Sequence, residues 1–279
     1  MSAVMGVRPE PAQQVPGPAT IAGPVTQARA VRAEWTKLRA LRSTRWSGLS
    51  TVVLIIGLGA LLAVSGTPYK LGPGNSAAAG VSAALLGIFL AQLVIGVISV
   101  LSFSGEYGTG MIRATLAVVP SRLPVLWAKL IALVGLVLPL TLLCAVIDFF
   151  AATAIESSRG GSAISLTAPG VLREVVGASL YLTVVAVIGL ALGALLRKTA
   201  AGLSVFAAVF FVIPIVVEAL PHKITGFAAY LPSNAGGSLW GGPLSTSHPL
   251  SPWTGFACLC GYAAVLTAAA AWRLRRWDA

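Results

Sequence analysis

Six runs of about twenty apolar residues, each bounded by polar or basic residues, leave this chain few ways to fold. They cover about Ser47–Gly66, Ala79–Phe103, Val125–Ile147, Val175–Leu196, Ala200–Val217 and Trp253–Trp272. Of the 279 residues, 57% are hydrophobic and 10% are charged, whereas a soluble domain carries about 25% charged residues. A chain so poor in charge cannot cover itself with a polar surface, so the bilayer is its expected solvent. In hydrocarbon, backbone polar groups must be satisfied internally, which makes each run a helix. The expected fold is therefore all-α: a polytopic membrane protein with six transmembrane helices over residues 47–279.

Two segments precede the first run. Residues 1–27 are rich in Pro, Ala, Gly and Gln and hold no apolar run. They read as a disordered tail rather than a secretory signal. Over residues 28–46, a period of 100° per residue places Val31, Trp35, Leu38, Leu41 and Trp46 on one stripe. Arg29, Arg32, Lys37 and Arg39 fall mostly off that stripe, while Arg42 and Arg45 interrupt its end. This predicts an amphipathic interfacial helix, with Trp35, Lys37, Arg39, Arg42 and Trp46 meeting headgroups. The alternative is a solvated helix without membrane contact.

The net charge of +11 raises nucleic acid as a partner, but the basic residues flank apolar runs and no aromatic-interleaved basic stripe occurs. The lipid bilayer, not nucleic acid, is the expected partner. With the N-terminus inside, fifteen Lys and Arg fall on inner segments and four, Lys70, Arg159, Arg173 and Lys223, on outer ones. That bias predicts a multi-pass protein of the cell membrane with both termini in the cytoplasm.

Motifs for chemistry within the chain are missing. No G-x-x-x-x-G-K-[ST] loop, H-E-x-x-H pair or G-x-S-x-G elbow occurs, and His222 and His248 both fall in the last outer loop. Cys144, Cys258 and Cys260 lie in apolar runs and read as core residues. Asp148, Glu156, Glu174 and Glu218 fall near span ends; Asp148 and Glu218 read as solvated caps, and an outer-gate role for these two is the sharper alternative. Without mid-membrane charges, ion coupling has little support. Pro139 should kink the third span or lie where a neighbour re-satisfies the backbone. The outer segment 218–252 is either a flexible loop or a set of short interfacial helices.

The segment 104–122 departs from a minimal turn. Glu106 sits at a membrane boundary among Gly105, Gly108 and Gly110. Met111–Val119 reads as a short amphipathic helix that Pro120 stops. A short helix pressed flat at the surface can transmit force to a partner, and an acid beside it can pair with a partner's arginine. The run EYGTGMIRATLAVVPSRLPVLWAKL, with VRAEWTKLRALRSTRW upstream, resembles ABC-2 type transporter permeases of the actinobacterial kind.

That resemblance implies the permease subunit of an ATP-driven exporter of a hydrophobic or amphipathic substrate. The chain itself would not be an enzyme and would hold no cofactor. ATP and Mg would bind a separate ATP-binding subunit, and a second permease copy or a paralogue would complete a dimer. Glu106, Tyr107, Thr109, Gly110, Met111, Ile112 and Arg113 would dock the ATPase, and Pro120, Ser121 and Arg122 would end the docking element. Lys129 would begin the third span. An ordinary membrane-surface loop is the plainer reading of the segment. An ion-coupled secondary transporter and a non-transporting scaffold are the alternatives for the whole chain.

Overall fold

The structure is a computed structural model that describes residues 26–65, 85–108, 110–111, 122–158, 165–220, 226–242 and 250–276. Nearly all of the expected tail, and the short helix expected over Met111–Val119 apart from its first residue, lie outside them. Helix α1 is Gln27–Ala40. Six helices long and apolar enough to cross a membrane follow: α2 (Arg42–Ser65), α3 (Gly87–Gly108), α4 (Arg122–Ser158), α5 (Val171–Leu196), α6 (Thr199–Glu218) and, after a short α7 (Pro232–Gly237), α8 (Pro252–Arg276). The protein is all-helical among the described residues and is a multi-pass membrane protein.

The helix expected over 28–46 is divided. Leu41 adopts an extended conformation (φ −71°, ψ 126°) and separates α1 from α2. One extended residue lets a polar helix meet an apolar one at an angle that a continuous helix would not allow. Trp46 therefore stands on the opening turns of α2, 68% exposed, rather than on the stripe of α1.

Helix α5 is the centre of the bundle, with 78% of its most apolar window buried. Its small residues allow this. A Cβ on Gly193 would come within 2.5 Å of the Val100 carbonyl oxygen, and one on Gly189 within 2.9 Å of Ser99 Cβ. On the facing side of α3, Gly96 receives the Phe206 ring of α6. The Gly189–Gly193 spacing is thus spent on a seam inside the chain, where dispersion contacts between backbones drive association in lipid. Hydroxyls buried at the seam bond back to their own helix, as Ser99 does to the Ile95 carbonyl at 2.6 Å and Ser104 to that of Val100 at 2.9 Å.

One end of the bundle gathers the basic residues. Arg197 and Lys198 alone connect α5 to α6. Arg273 of α8 donates to the Leu195 carbonyl at the end of α5. Ser104 of α3 meets Thr199 of α6 at 3.1 Å. The Arg197 guanidinium lies 5.2 Å from the Tyr107 ring centre. Among the described residues, Arg173 is the one Lys or Arg at the opposite end.

At that opposite end, one expectation changes. Asp148 is 0% exposed and so is not a solvated cap, and Glu174, also near a span end, is 4% exposed. Glu174 pairs with Arg173 at 3.2 Å. Asp148 packs directly against Gly59 of α2, and neither of its oxygens has a partner among the described residues. The outer segment contains short helices, the 3₁₀ turn Ala228–Tyr230 and α7, rather than being loop throughout. They bury Trp240 against Tyr181, with ring centres 6.0 Å apart. Helix α4 runs on through Pro139. In α6 a wide π-type turn at Ala208–Val212 precedes Pro214 and gives room for its ring.

Gly193→Leu should force α3 and α5 apart and lower stability by about 1–3 kcal/mol, the usual cost of overpacking. Gly261→Leu is the control, because a Cβ there meets nothing within 4 Å. Thermal unfolding in detergent checks both: a lowered Tm for the first and an unchanged Tm for the second.

Candidate functional site

Four charged side chains from three helices converge at the basic end. Glu34 and Lys37 come from α1, Glu106 from the last turn of α3 and Lys129 from the second turn of α4. The Lys129 ammonium donates to Glu34 Oε2 at 2.8 Å and to Glu106 Oε1 at 2.7 Å. Lys37 donates to Glu34 Oε1 at 2.9 Å and to Glu106 Oε1 at 3.1 Å. Two positive and two negative charges balance. The Lys129 side chain is 4% exposed, both glutamates 9% and Lys37 35%.

Each helix brings its charge there for a local reason. Lys129 follows Leu123–Ala128 into the apolar part of α4, where an unpaired ammonium is costly. Glu34 lies one turn before Leu38, and the two are the buried residues of α1. The Trp35 ring also turns toward α4, where a Cβ on Gly135 would sit 3.5 Å from it. Gln27 donates to the Pro124 carbonyl at 3.2 Å, fixing the start of α1 on the start of α4. Helix α1 is therefore docked on α4 through Glu34, Trp35 and Leu38.

An aromatic path leads away from the cluster. Lys129 lies 5.9 Å from the Phe103 ring centre, Phe103 stacks on Tyr107 at 6.0 Å, and Arg197 covers Tyr107. Four helices, α1, α3, α4 and α5, thus meet through charge and ring contacts at one end.

The residues singled out in the sequence divide accordingly. Glu106 was expected to await an arginine of a partner; instead its Oε1 is already held by Lys129 and Lys37. Tyr107 is half-buried beneath Arg197. Gly110 takes φ +71°, a left-handed conformation that turns the chain away after α3 and favours glycine. Met111 is 47% exposed. Thr109, Ile112 and Arg113 lie outside the described residues, and Arg122 opens α4. Of the residues expected at headgroups, Trp35 and Lys37 instead face the protein, because the buried Glu34 sets the inward side of α1. Arg39 and Arg42 are exposed, and Arg39 lies 4.9 Å from the Trp35 ring centre.

Sequence reasoning named Glu106 and Lys129 but did not join them, and gave Glu34 no role. Lys129 was the available signal, as the one charge between Leu123 and Ile147. Such a charge requires an acid from elsewhere in the chain.

Burial alone would raise the pKa of Glu34, but the ammonium groups of Lys129 and Lys37 and their hydrogen bonds outweigh it and hold it below the ordinary 4.5. For Lys37, burial would lower the pKa, but hydrogen bonds and charge from Glu34 and Glu106 raise it above the ordinary 10.5. A depressed glutamate stabilises the docked state above its free pKa and loses that effect as pH falls through the folded value. A raised lysine stabilises below its free pKa and loses the effect as pH rises through the folded value. Helix α1 should therefore stay docked from about pH 5 to about pH 10 and loosen only outside that window. Hydrogen exchange of α1, corrected for intrinsic rates, reads this directly.

Lys129→Met should cost about 3–5 kcal/mol, because it leaves two buried carboxylates with one ammonium. Exposed Arg32→Ala should stay within about 0.5 kcal/mol. Equilibrium unfolding of both variants measures the difference.

Residues 33–279 match the family model described as ABC-2 family transporter protein. A search of curated proteins finds no match. The matched region includes all six membrane-spanning helices and the whole ion cluster. The chain belongs to the ABC-2 transporter family and is a membrane transport component of the permease type.

Proposed function

We propose that this chain is the transmembrane subunit of an ATP-driven exporter. A separate subunit binds ATP and Mg and hydrolyses the nucleotide. This chain converts the resulting motion into export of a hydrophobic or amphipathic substrate. The basic end faces the cytoplasm, as the Lys and Arg distribution favours, and the membrane is the cell membrane. A second copy or a paralogue completes the pathway, since the helices packed against α5 leave little room for one of their own.

The observation that carries this reading is the ion cluster. Glu106 lies immediately before the segment that would dock the ATPase, and Lys129 lies shortly after it. Both are tied to each other and to α1. Force on the segment is thus delivered to three helices together rather than absorbed by a loose loop. Glu106 holds the near end of the docking segment. Contact with the ATPase falls to the residues beyond it, Tyr107 to Arg113, with Arg122 at the far end.

Asp148 favours a second reading. A fully buried carboxyl without a partner among the described residues is the feature that an ion-coupled transporter would need. Reconstitution separates the two. The exporter reading expects transport in proteoliposomes only with the ATP-binding subunit and ATP. Transport driven by a proton gradient with this chain alone would replace it with secondary transport.

Arg113→Ala should lower substrate transported per ATP hydrolysed by at least about tenfold while leaving membrane insertion intact. Co-purification of a P-loop ATPase with the wild-type chain, and its loss with Arg113→Ala, is the companion measurement. Unchanged coupling and unchanged co-purification would remove Arg113 from the docking surface.

A further inference from the structure

A cavity of about 440 Å³ lies beside the ion cluster, between α1, α3 and α4. Its size falls in the range of small-molecule sites, roughly 300–1,000 Å³. Most of its wall is apolar, with Leu38, Leu101 and Leu133 prominent, while Glu106 and Lys37 also line it. We propose that this cavity holds the headgroup and first methylenes of one phospholipid that carries a primary ammonium group. The lipid comes from the leaflet at the basic end. The inference rests on the membrane placement of the chain and not on its coupling to an ATPase.

Three observations select this occupant. The first is the unsatisfied oxygen. Glu106 Oε1 accepts from two lysines, whereas Oε2 is buried and accepts from no donor among the described residues. A buried carboxylate oxygen without a donor is unfavourable, and a small turn of the Glu106 carboxylate toward the cavity it lines would let a ligand N–H satisfy it. A primary ammonium has N–H groups to give. A quaternary ammonium has none, so the site distinguishes two lipids that differ only in the methylation of nitrogen.

The second is the pairing of signs. Lys37 is the more exposed of the two lysines and uses two of its three N–H groups on Glu34 and Glu106. Its remaining N–H suits a phosphate oxygen. A wall with both signs matches a zwitterionic head better than an anion or a hydrocarbon. The third is the position. Leu41 and Leu101 line the cavity and are 50% and 38% exposed, giving an acyl chain an apolar route toward the bilayer. The spans end at this level, where headgroups lie.

Gly105 supplies a clean test. It lines the cavity, and a Cβ built on it meets nothing within 4 Å. Gly105→Leu therefore adds a side chain whose first carbon stands in open space at the cavity wall, and it leaves all four charges in place. The full-length chain is reconstituted separately in nanodiscs of phosphatidylethanolamine, phosphatidylcholine or phosphatidylglycerol with identical acyl chains. It is then extracted in mild detergent, and retained lipid is counted by native mass spectrometry. The expected result is one phosphatidylethanolamine per chain and at least about tenfold less of either other lipid. Gly105→Leu should lose the bound lipid with its Tm unchanged. Equal retention of phosphatidylcholine, preference for phosphatidylglycerol, or wild-type retention by Gly105→Leu would each overturn the proposal. Should Gly105→Leu fail to fold, the comparison of the three lipids on the wild-type chain still decides. Because no ATPase is present, failure here is distinct from failure of the exporter reading.

Discussion

Lys129 carries a positive charge on a side chain that is 4% exposed, and the basic end of the protein is arranged around neutralising it. One carboxylate would balance the charge but leave ammonium protons unused. Two carboxylates from two other helices use more of them and overshoot in charge, and Lys37 restores neutrality. The result is a joint that cannot be taken apart one helix at a time. Removing α1 strands Lys129 with a single acid, and moving α3 strands it with the other. Buried ion pairs often add little net stability relative to apolar packing, but they make partial disassembly expensive. That property fits the proposed role of the joint in passing motion from an ATP-binding subunit to the helices.

The rest of the bundle provides the rigid body to which this joint belongs. Glycines at 96, 189 and 193 bring α3 and α5 to backbone contact, and Phe206 closes the seam from α6. Phe103, Tyr107 and Arg197 extend from the cluster to the end of α5, so the joint and the central helix share side chains. The outer surface is different. Val53, Leu61, Leu143, Trp253 and Val265 are all more than half exposed, as expected for side chains that meet lipid rather than protein. Packing is concentrated along α5 and sparse at α2 and α8.

Much of this was legible in the sequence because hydrocarbon imposes a simple rule on the backbone. Six spans appear, as the apolar runs predict, although the second is Gly87–Gly108 rather than Ala79–Phe103 and α4 extends well past its run at the far end, to Ser158. Its extra turns, such as those beyond Asp148, carry polar residues that a hydropathy window penalises and a bundle can bury. The same limit explains the correction at Asp148: proximity to the end of an apolar run says nothing of depth within the protein. Helix α1 differs for a related reason. Its apolar stripe does reach the docked face, through Trp35 and Leu38, but that face packs on α4 rather than on headgroups, because Glu34 beside it is an acid whose partner lies 95 residues away. Periodicity finds apolar faces, but it cannot see a charged residue that is buried because another charge requires it. Glu106 was recognised as unusual, and only the fold shows that it is occupied from within the chain.

The claim most in need of direct measurement is that the ion cluster binds α1 to α4 as one unit. Spin labels at exposed Arg32 on α1 and exposed Trp127 on α4 would report it as a distance distribution by double electron–electron resonance in nanodiscs. The account predicts one narrow distance in the labelled protein with the cluster intact. It predicts a broad or split distribution once Glu34 and Glu106 are both replaced by Gln. A narrow, unchanged distance in the doubly substituted protein would show that packing alone holds α1, and the ion cluster would lose its place at the centre of the account.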